Sequence, residues 1–249
     1  MQFYRRRRSG RIERTQKAPG VAHQRRNGVP ADHLDISRAE VRAIPFQTAR
    51  AIIEQYEWLG SMPAVSRYWF GIFFDGVCGG AVVYGREQAE NLGVWNKYGF
   101  AKRIIALQRG ACLPWAHPHS ASKLIRRSMR LLPDKFKVIT ATVDAVAGEV
   151  GTIYQACGFD YVGVMRGDSH RALIYFRGKI ISERDAKRKF GTAGPSALAR
   201  KGLRVATVPR RSRYFAFRGG KRERRELRAA IAHLIKPYPK RGFDIIDDL

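Results

Sequence analysis

The sequence predicts an α+β (α/β layered) protein, with a mixed central β-sheet flanked by helices. Three observations predict it. Short β-branched and aromatic runs alternate with segments whose apolar residues recur at helical spacing. Asp75-Gly76 sits between two apolar runs, which marks a hairpin and therefore antiparallel neighbours. A β-branched strand at 137–143 is followed by a helix that ends on Gly158, a layered strand–helix step.

In order, 39–46 reads as a first strand. Residues 48–59 read as a helix, because Ala49, Ile52, Ile53 and Tyr56 share one face. Gly60 and Pro63 then break the chain. Residues 67–74 and 77–84 are the arms of the hairpin, and 104–113 is a further apolar strand. A helix follows over 120–132, with Ser120 as N-cap, Leu124, Ile125, Met129 and Leu132 inward, and Lys123, Arg126, Arg127 and Arg130 outward. Residues 148–157 form a short helix, and 159–164 with 171–176 close the sheet as a hairpin. Beyond 177 the pattern predicts a basic helix over 182–190, a loop at 191–202, an aromatic strand at 213–218 and a helix over 221–235. The last helix places Leu227, Ala230, Ile231, Leu234 and Ile235 on one face.

The 249 residues carry 47 Lys+Arg against 21 Asp+Glu, a formal net charge of +26. With 45% hydrophobic residues, a wholly disordered chain is excluded. Apolar runs are too short for a membrane span, and no apolar stretch follows the basic N-terminus, so no secretory signal is expected. Three isolated cysteines (Cys78, Cys112, Cys157) fit a reducing cytoplasm rather than a disulfide or zinc framework. The charge is uneven: +8 over 1–30, +5 over 31–177 and +13 over 178–249. This gives a basic arm over 1–36, a globular domain over 37–177 and a basic C-terminal extension over 178–249. A polyanionic partner follows, nucleic acid before membrane. Candidate phosphate contacts are Arg5, Arg6, Arg7 and Arg8 in the arm, Lys187, Arg188 and Lys189, and Arg222, Arg224 and Arg225. The alternative for each cluster is a merely solvated surface.

Chemistry is expected at the strand–loop–helix step ending at Ser120. A helix start offers free amides and a positive dipole end to a phosphate. Ser120, Ser122, Lys123 and His119 lie there, and His117 with His119 makes a two-histidine pair too sparse to fix a metal. Arg109 is a charge inside an apolar strand and needs a partner, either Asp144 or a ligand phosphate. Asp144 ends a strand at the sheet edge where open sheets place ligands. A turn Asp and an edge-strand Arg are the structural alternatives.

The segment 154–159 (YQACGF) resembles the helix of GNAT-type N-acyltransferases that supplies a tyrosine to protonate departing coenzyme A. The usual pyrophosphate loop is replaced by 116–122 (AHPHSAS). Residues 107–124 (LQRGACLPWAHPHSASKL), 148–157 (GEVGTIYQAC), 56–62 (YEWLGSM), 178–184 and the basic segments KRERRELR and PYPKR are similar to the Mom-type DNA-modification proteins of bacteriophages. The resemblance covers about 40–241. It implies a GNAT-like acyltransferase fold and transfer of a carbamoylmethyl (acetamido) group to N6 of adenine in phage DNA, as protection against host restriction enzymes. It also implies an acyl-CoA (acetyl-CoA) or other acyl or glycyl donor, and iron is suggested for the family. Tyr154 then becomes the proton donor, with Asp144 and Arg109 beside it. Tyr56, Glu57 and Trp58 would line the acceptor site, with an aromatic ring stacked on an extruded adenine. The expected partner is double-stranded DNA, of phage or host, in the cytoplasm of a bacterial host; the oligomeric state stays open, with a homodimer as one reading. Two other readings stay open: a GNAT-type acyltransferase acting on RNA such as tRNA, and a non-enzymatic phage DNA-binding protein.

Overall fold

A short edge strand, β1 (Glu40–Ala43), leads into α1 (Phe46–Tyr56), and the hairpin follows as β2 (Ser66–Phe74) and β3 (Val77–Gly85). These bounds come from a computed structural model that describes residues 34–57, 59–87, 94–144, 149–164, 170–177, 179–181 and 183–239. At the hairpin tip Asp75 and Gly76 both take positive φ (45° and 81°), as in the turn whose twist matches the flanking strands. The chain continues through β4 (Ile104–Cys112), α2 (Ser120–Leu131), β5 (Val138–Val143), α3 (Thr152–Ala156) and β6 (Asp160–Val164). Then come β7 (His170–Phe176), β8 (Lys179–Ile181), α4 (Glu183–Phe190), α5 (Pro195–Arg200) and β9 (Arg204–Pro209). The chain closes with β10 (Ser212–Phe217), α6 (Lys221–Ala230) and a 3-10 turn at Ala232–Leu234.

The predicted α+β class with a mixed sheet is what the chain forms. Seven strands lie in the order β1-β2-β3-β4-β5-β10-β6, and only β4 and β5 run parallel. Alternation along β3 serves two cores. Val82 and Tyr84 pack with Leu124 and Ile125 of α2 on one face, while Ala81 and Val83 pack with Ala49, Ile52 and Ile53 of α1 on the other. Leu124 and Ile125 are fully buried, each worth about 1.5–3 kcal/mol of transfer free energy.

Four expectations are corrected. β6 and β7 do not close the sheet as a hairpin. β7 pairs instead with β8 and β9 in a second sheet of order β8-β7-β9. The place beside β6 is taken by β10, which is antiparallel to both β5 and β6. The reason is burial on both faces: Tyr214 enters the core under α2, and Phe215 enters a third cluster with Trp95, Ile104, Val138, Leu227 and Ile231. The boundary expected at 177 therefore does not divide the structure. Residues 212–217 belong to the main sheet, α6 packs on it, and Tyr238 donates a hydrogen bond to the Phe159 carbonyl (2.8 Å). The separate unit is an insertion between β6 and β10, and its residues 170–209 carry ten Lys/Arg against two acids. Within it, the stretch expected as a loop at 191–202 contains α5, whose Leu198 joins Ile174 and Ala186 in a small core. The helix expected over 148–157 begins only at Thr152, because Gly151 stands in the left-handed region (φ 74°). Among the described residues no helix is long and apolar enough to cross a membrane.

Candidate active site

The parallel pair is short. Ile104–Leu107 pair with Val138–Ala141, and past that point β4 and β5 have no further partner in each other. Arg109 and Asp144 lie in this region, at or near the carboxyl ends of the two strands, and the loop to α2 leaves from the same edge. Open sheets receive ligands at such edges.

Arg109 does not meet Asp144, as one of its expected pairings had it. Its Nη1 donates to the Gln108 carbonyl (2.7 Å), its Nε to the Ser61 carbonyl (3.2 Å), and its ion-pair partner is Glu57 at 3.8 Å. The reason is the path of the chain after α1. Glu57 caps that helix at its C-terminus, with its amide on the Ile53 carbonyl, and is only 6% exposed. Its Oε2 also accepts the Leu59 amide at 2.9 Å. Burial raises the Glu57 pKa above its usual value, opposed by Arg109 and the Leu59 amide. Burial likewise lowers that of Arg109, opposed by Glu57, although a guanidinium keeps its charge in a protein.

Asp144 is 2% exposed, and Arg211, just before β10, donates to its Oδ2 at 3.0 Å. Glu149 holds the backbone of the same residue: its Oε2 accepts the Asp144 amide (2.9 Å) and its own amide donates to the Asp144 carbonyl (3.2 Å). Neither Arg211 nor Glu149 stood out in the sequence. Arg211 is one of several arginines in 210–218. Glu149 lay inside the quoted GEVG stretch, where its proximity to Asp144 offered a signal.

Tyr154 is fully buried between Phe159 and Tyr214, with ring centroids at 5.3 and 5.4 Å. Among the described residues its hydroxyl has no hydrogen-bond partner. Burial, and after it the negative charge of Glu149, push its pKa well above 10, so the phenol holds its proton at neutral pH. Arg109, Glu57 and Glu149 are all near enough to couple electrostatically to it. The neighbouring Tyr214 contrasts: its OH donates to the Val150 carbonyl (2.7 Å) and accepts from Gln155 (3.1 Å), and burial raises its pKa to about 12. Gly151 makes room for that ring, since a Cβ there would lie 2.4 Å from it.

At α2 the N-cap is His119, not Ser120. Ser120 lies in the first turn, packed inward, so its Oγ cannot cap. That Oγ is buried and, among the described residues, without a partner. Ser122 donates to the His119 carbonyl (2.9 Å), and the His119 amide to Nδ1 of His117 (3.0 Å). Lys123 is engaged elsewhere, with its ammonium donating to the carbonyls of Ile36 and Ser37. An orphaned buried hydroxyl beside a helix start fits an anionic donor group. Among the described residues no cluster of three His, Cys, Asp or Glu could hold a metal, so iron finds no ligand set here.

Tyr56 is 7% exposed and sits in the core under α1, so it does not line an open surface. Glu57 joins the site through Arg109, and Trp58 lies outside the described residues, as do Arg5, Arg6, Arg7 and Arg8. Lys187, Arg188 and Lys189 occupy the exposed last turn of α4, where Arg188 pairs with Asp185 and Lys189 lies 4.9 Å from the Phe176 ring centre. Arg222, Arg224 and Arg225 are exposed on α6, with Arg222 bonded to Glu226.

Three solved structures share parts of this architecture at low identity. An N-acyl amino acid synthase from uncultured soil microbes is 14% identical, with TM-score 0.41, covering 80% of this chain and 99% of that one. An N-acetyltransferase from Staphylococcus aureus Mu50 is 13% identical, with TM-score 0.40 and coverage of 72% and 98%. A GNAT family acetyltransferase from Elizabethkingia anophelis with acetyl-CoA bound is 9% identical, with TM-score 0.37 and coverage of 72% and 98%. Likeness at this level carries no argument about activity. No curated protein matches. The family comparison is decisive: the model of the Mom protein family matches residues 38–240, which include both strands of the parallel edge, Tyr154 and the inserted basic unit, and the chain belongs to that family.

Proposed function

We propose that this protein is a transferase that places a carbamoylmethyl group on N6 of adenine in DNA. The observation that carries the proposal is the family match over residues 38–240, within which Asp144 and Tyr154 are both buried and both lie near Glu149. The net charge of +26 supports a polyanionic substrate. An adenine amine inside a duplex is out of reach, so the base must leave the stack.

The chain's residues divide the proton work. Asp144, oriented by Arg211 and by Glu149 on its backbone, accepts the proton that N6 loses as its bond to the methylene carbon forms. Tyr154, protonated at neutral pH, delivers a proton to the group that leaves the donor. Arg109, held by Glu57, supplies positive charge near that leaving group. A phosphate-bearing donor whose leaving group sits on the methylene carbon that N6 attacks would rest its anionic end by Ser120 and the start of α2.

The test is plasmid DNA from cells that express the protein. Resistance to restriction enzymes whose sites contain adenine, with cleavage at sites lacking it on the modified strand, supports the reading. Full sensitivity at all sites contradicts it. The reading as an acyltransferase of RNA predicts acylated tRNA nucleosides from the same cells instead.

A further inference from the structure

At the opposite end of β4 from Arg109 the surface opens into a cavity of about 290 Å³. Its floor is Gly85, Ile104, Ile105 and Phe136, and its rim carries Arg67, Arg86, Lys102 and Lys135. These four cations come from four separate places: the start of β2, the end of β3, the approach to β4 and the turn between α2 and β5. All four side chains are exposed.

The nearby acids do not neutralise them. Glu87, the one acid lining the cavity among the described residues, is buried and bound by Arg213 and by the Thr140 hydroxyl. Asp134 pairs with Lys137, and Glu223 with Arg103 and Lys137. Among the described residues none of Arg67, Arg86, Lys102 and Lys135 forms an ion pair, and Lys135 lies 5.1 Å from the Phe136 ring centre. A concave surface with an apolar floor and one sign of charge on its rim focuses its field on an anion.

We propose that this cavity is a binding site for a backbone phosphate of the DNA, separate from the catalytic edge. The proposal rests on DNA being the substrate, but not on which group is transferred. An exposed rim suits a polymer phosphate that passes across the mouth. Among the described lining residues no buried cationic side chain would single out an enclosed small anion. β4 sets the distance: five residues from Ile104 to Arg109 span about 17 Å at 3.4 Å per residue. A phosphate held here would therefore lie on the order of five base pairs from the target base, at 3.4 Å rise per strand. Such contacts position the duplex and read no sequence.

The test measures binding of the full chain to a fixed duplex across a salt series. The site variant carries Arg67→Gln, Arg86→Gln, Lys102→Gln and Lys135→Gln. A control variant loses four other exposed cations by Arg38→Gln, Lys97→Gln, Arg126→Gln and Arg127→Gln. Circular dichroism establishes that both fold. We expect the site variant to lose about one to two units of the log–log salt slope and about tenfold in affinity near 0.1 M salt, and the control clearly less. Equal losses in both variants, or no loss in the site variant, overturn the proposal. So does site-dependent binding of inorganic phosphate by the wild type without any effect of the site variant on duplex binding. Because binding is read directly, unmodified DNA would contradict the proposed transfer while leaving this site standing.

Discussion

Tyr154→Phe removes one oxygen from the most enclosed part of the site. The Tyr154 hydroxyl is fully buried and, among the described residues, unpartnered. An unsatisfied buried hydroxyl costs about 1–3 kcal/mol in desolvation. Removing it leaves a void of about 10 Å³, a penalty of only about 0.2 kcal/mol at 24 cal/mol per Å³. The variant should therefore be more stable than the wild type by about 1 kcal/mol or more. For a chain of this size that is a rise in Tm of about 2–4 °C per kcal/mol. Modification activity should fall by about a hundred- to ten-thousandfold, the usual worth of a positioned proton donor. Tyr214→Phe is the internal comparison. Its OH bonds Val150 and Gln155, so that variant should lose about 1–3 kcal/mol and melt lower. Scanning calorimetry and nucleoside analysis of DNA read both effects. If Tyr154→Phe melts lower, as Tyr214→Phe does, its hydroxyl has a partner and the reasoning fails. If activity is kept, the phenol is a core residue and no more.

Three further perturbations follow from the same geometry. Arg211→Ala removes the Arg211 ion pair from the buried Asp144 carboxylate. Because Arg211 is partly exposed, the loss should be about 1–3 kcal/mol in urea unfolding, with activity reduced. Glu57→Gln should change the pH dependence of stability. The folded pKa of Glu57 is raised, so the folded state holds the proton more tightly than the unfolded one. That contribution is complete below the ordinary value near 4.5 and is lost as pH rises through the raised value. Unfolding measured from pH 4 to pH 8 should accordingly show the wild type losing stability relative to Glu57→Gln as pH rises, and a constant difference would refute the shift. Gly151→Ala combines a left-handed backbone with a Cβ 2.4 Å from the Tyr214 ring, and should cost about 3 kcal/mol or more by thermal melting.

Much of the fold was legible because its signals are local. Asp75-Gly76 dictates its turn, and the spacing of Ala49, Ile52 and Ile53 dictates the face of α1. Gly158, at φ 78°, ends α3 as a C′ glycine should. Strand pairing is not local. Nothing in 212–217 shows that it will lie between β5 and β6, more than 45 residues from either, or that β7 will leave the sheet. The same limit governs the site. Asp144, Tyr154 and Arg109 stand out by residue type and motif; Asp144 and Tyr154 are buried and Arg109 is half-buried. Their partners do not stand out, because Glu57 and Arg211 arrive from 52 and 67 residues away in the chain. Lys123 shows the converse: it lies close in sequence to the presumed phosphate site, yet its ammonium bonds the carbonyls ahead of β1.

The central claim is that Asp144 and Tyr154 carry a transfer to adenine in DNA. Mass spectrometry of nucleosides from the plasmid DNA of expressing cells tests it most directly. The account predicts a deoxyadenosine species heavier by one carbamoylmethyl group in place of hydrogen, abundant with the wild type and absent with Asp144→Asn. Unmodified deoxyadenosine with the wild type, or an equal yield from Asp144→Asn, would contradict it.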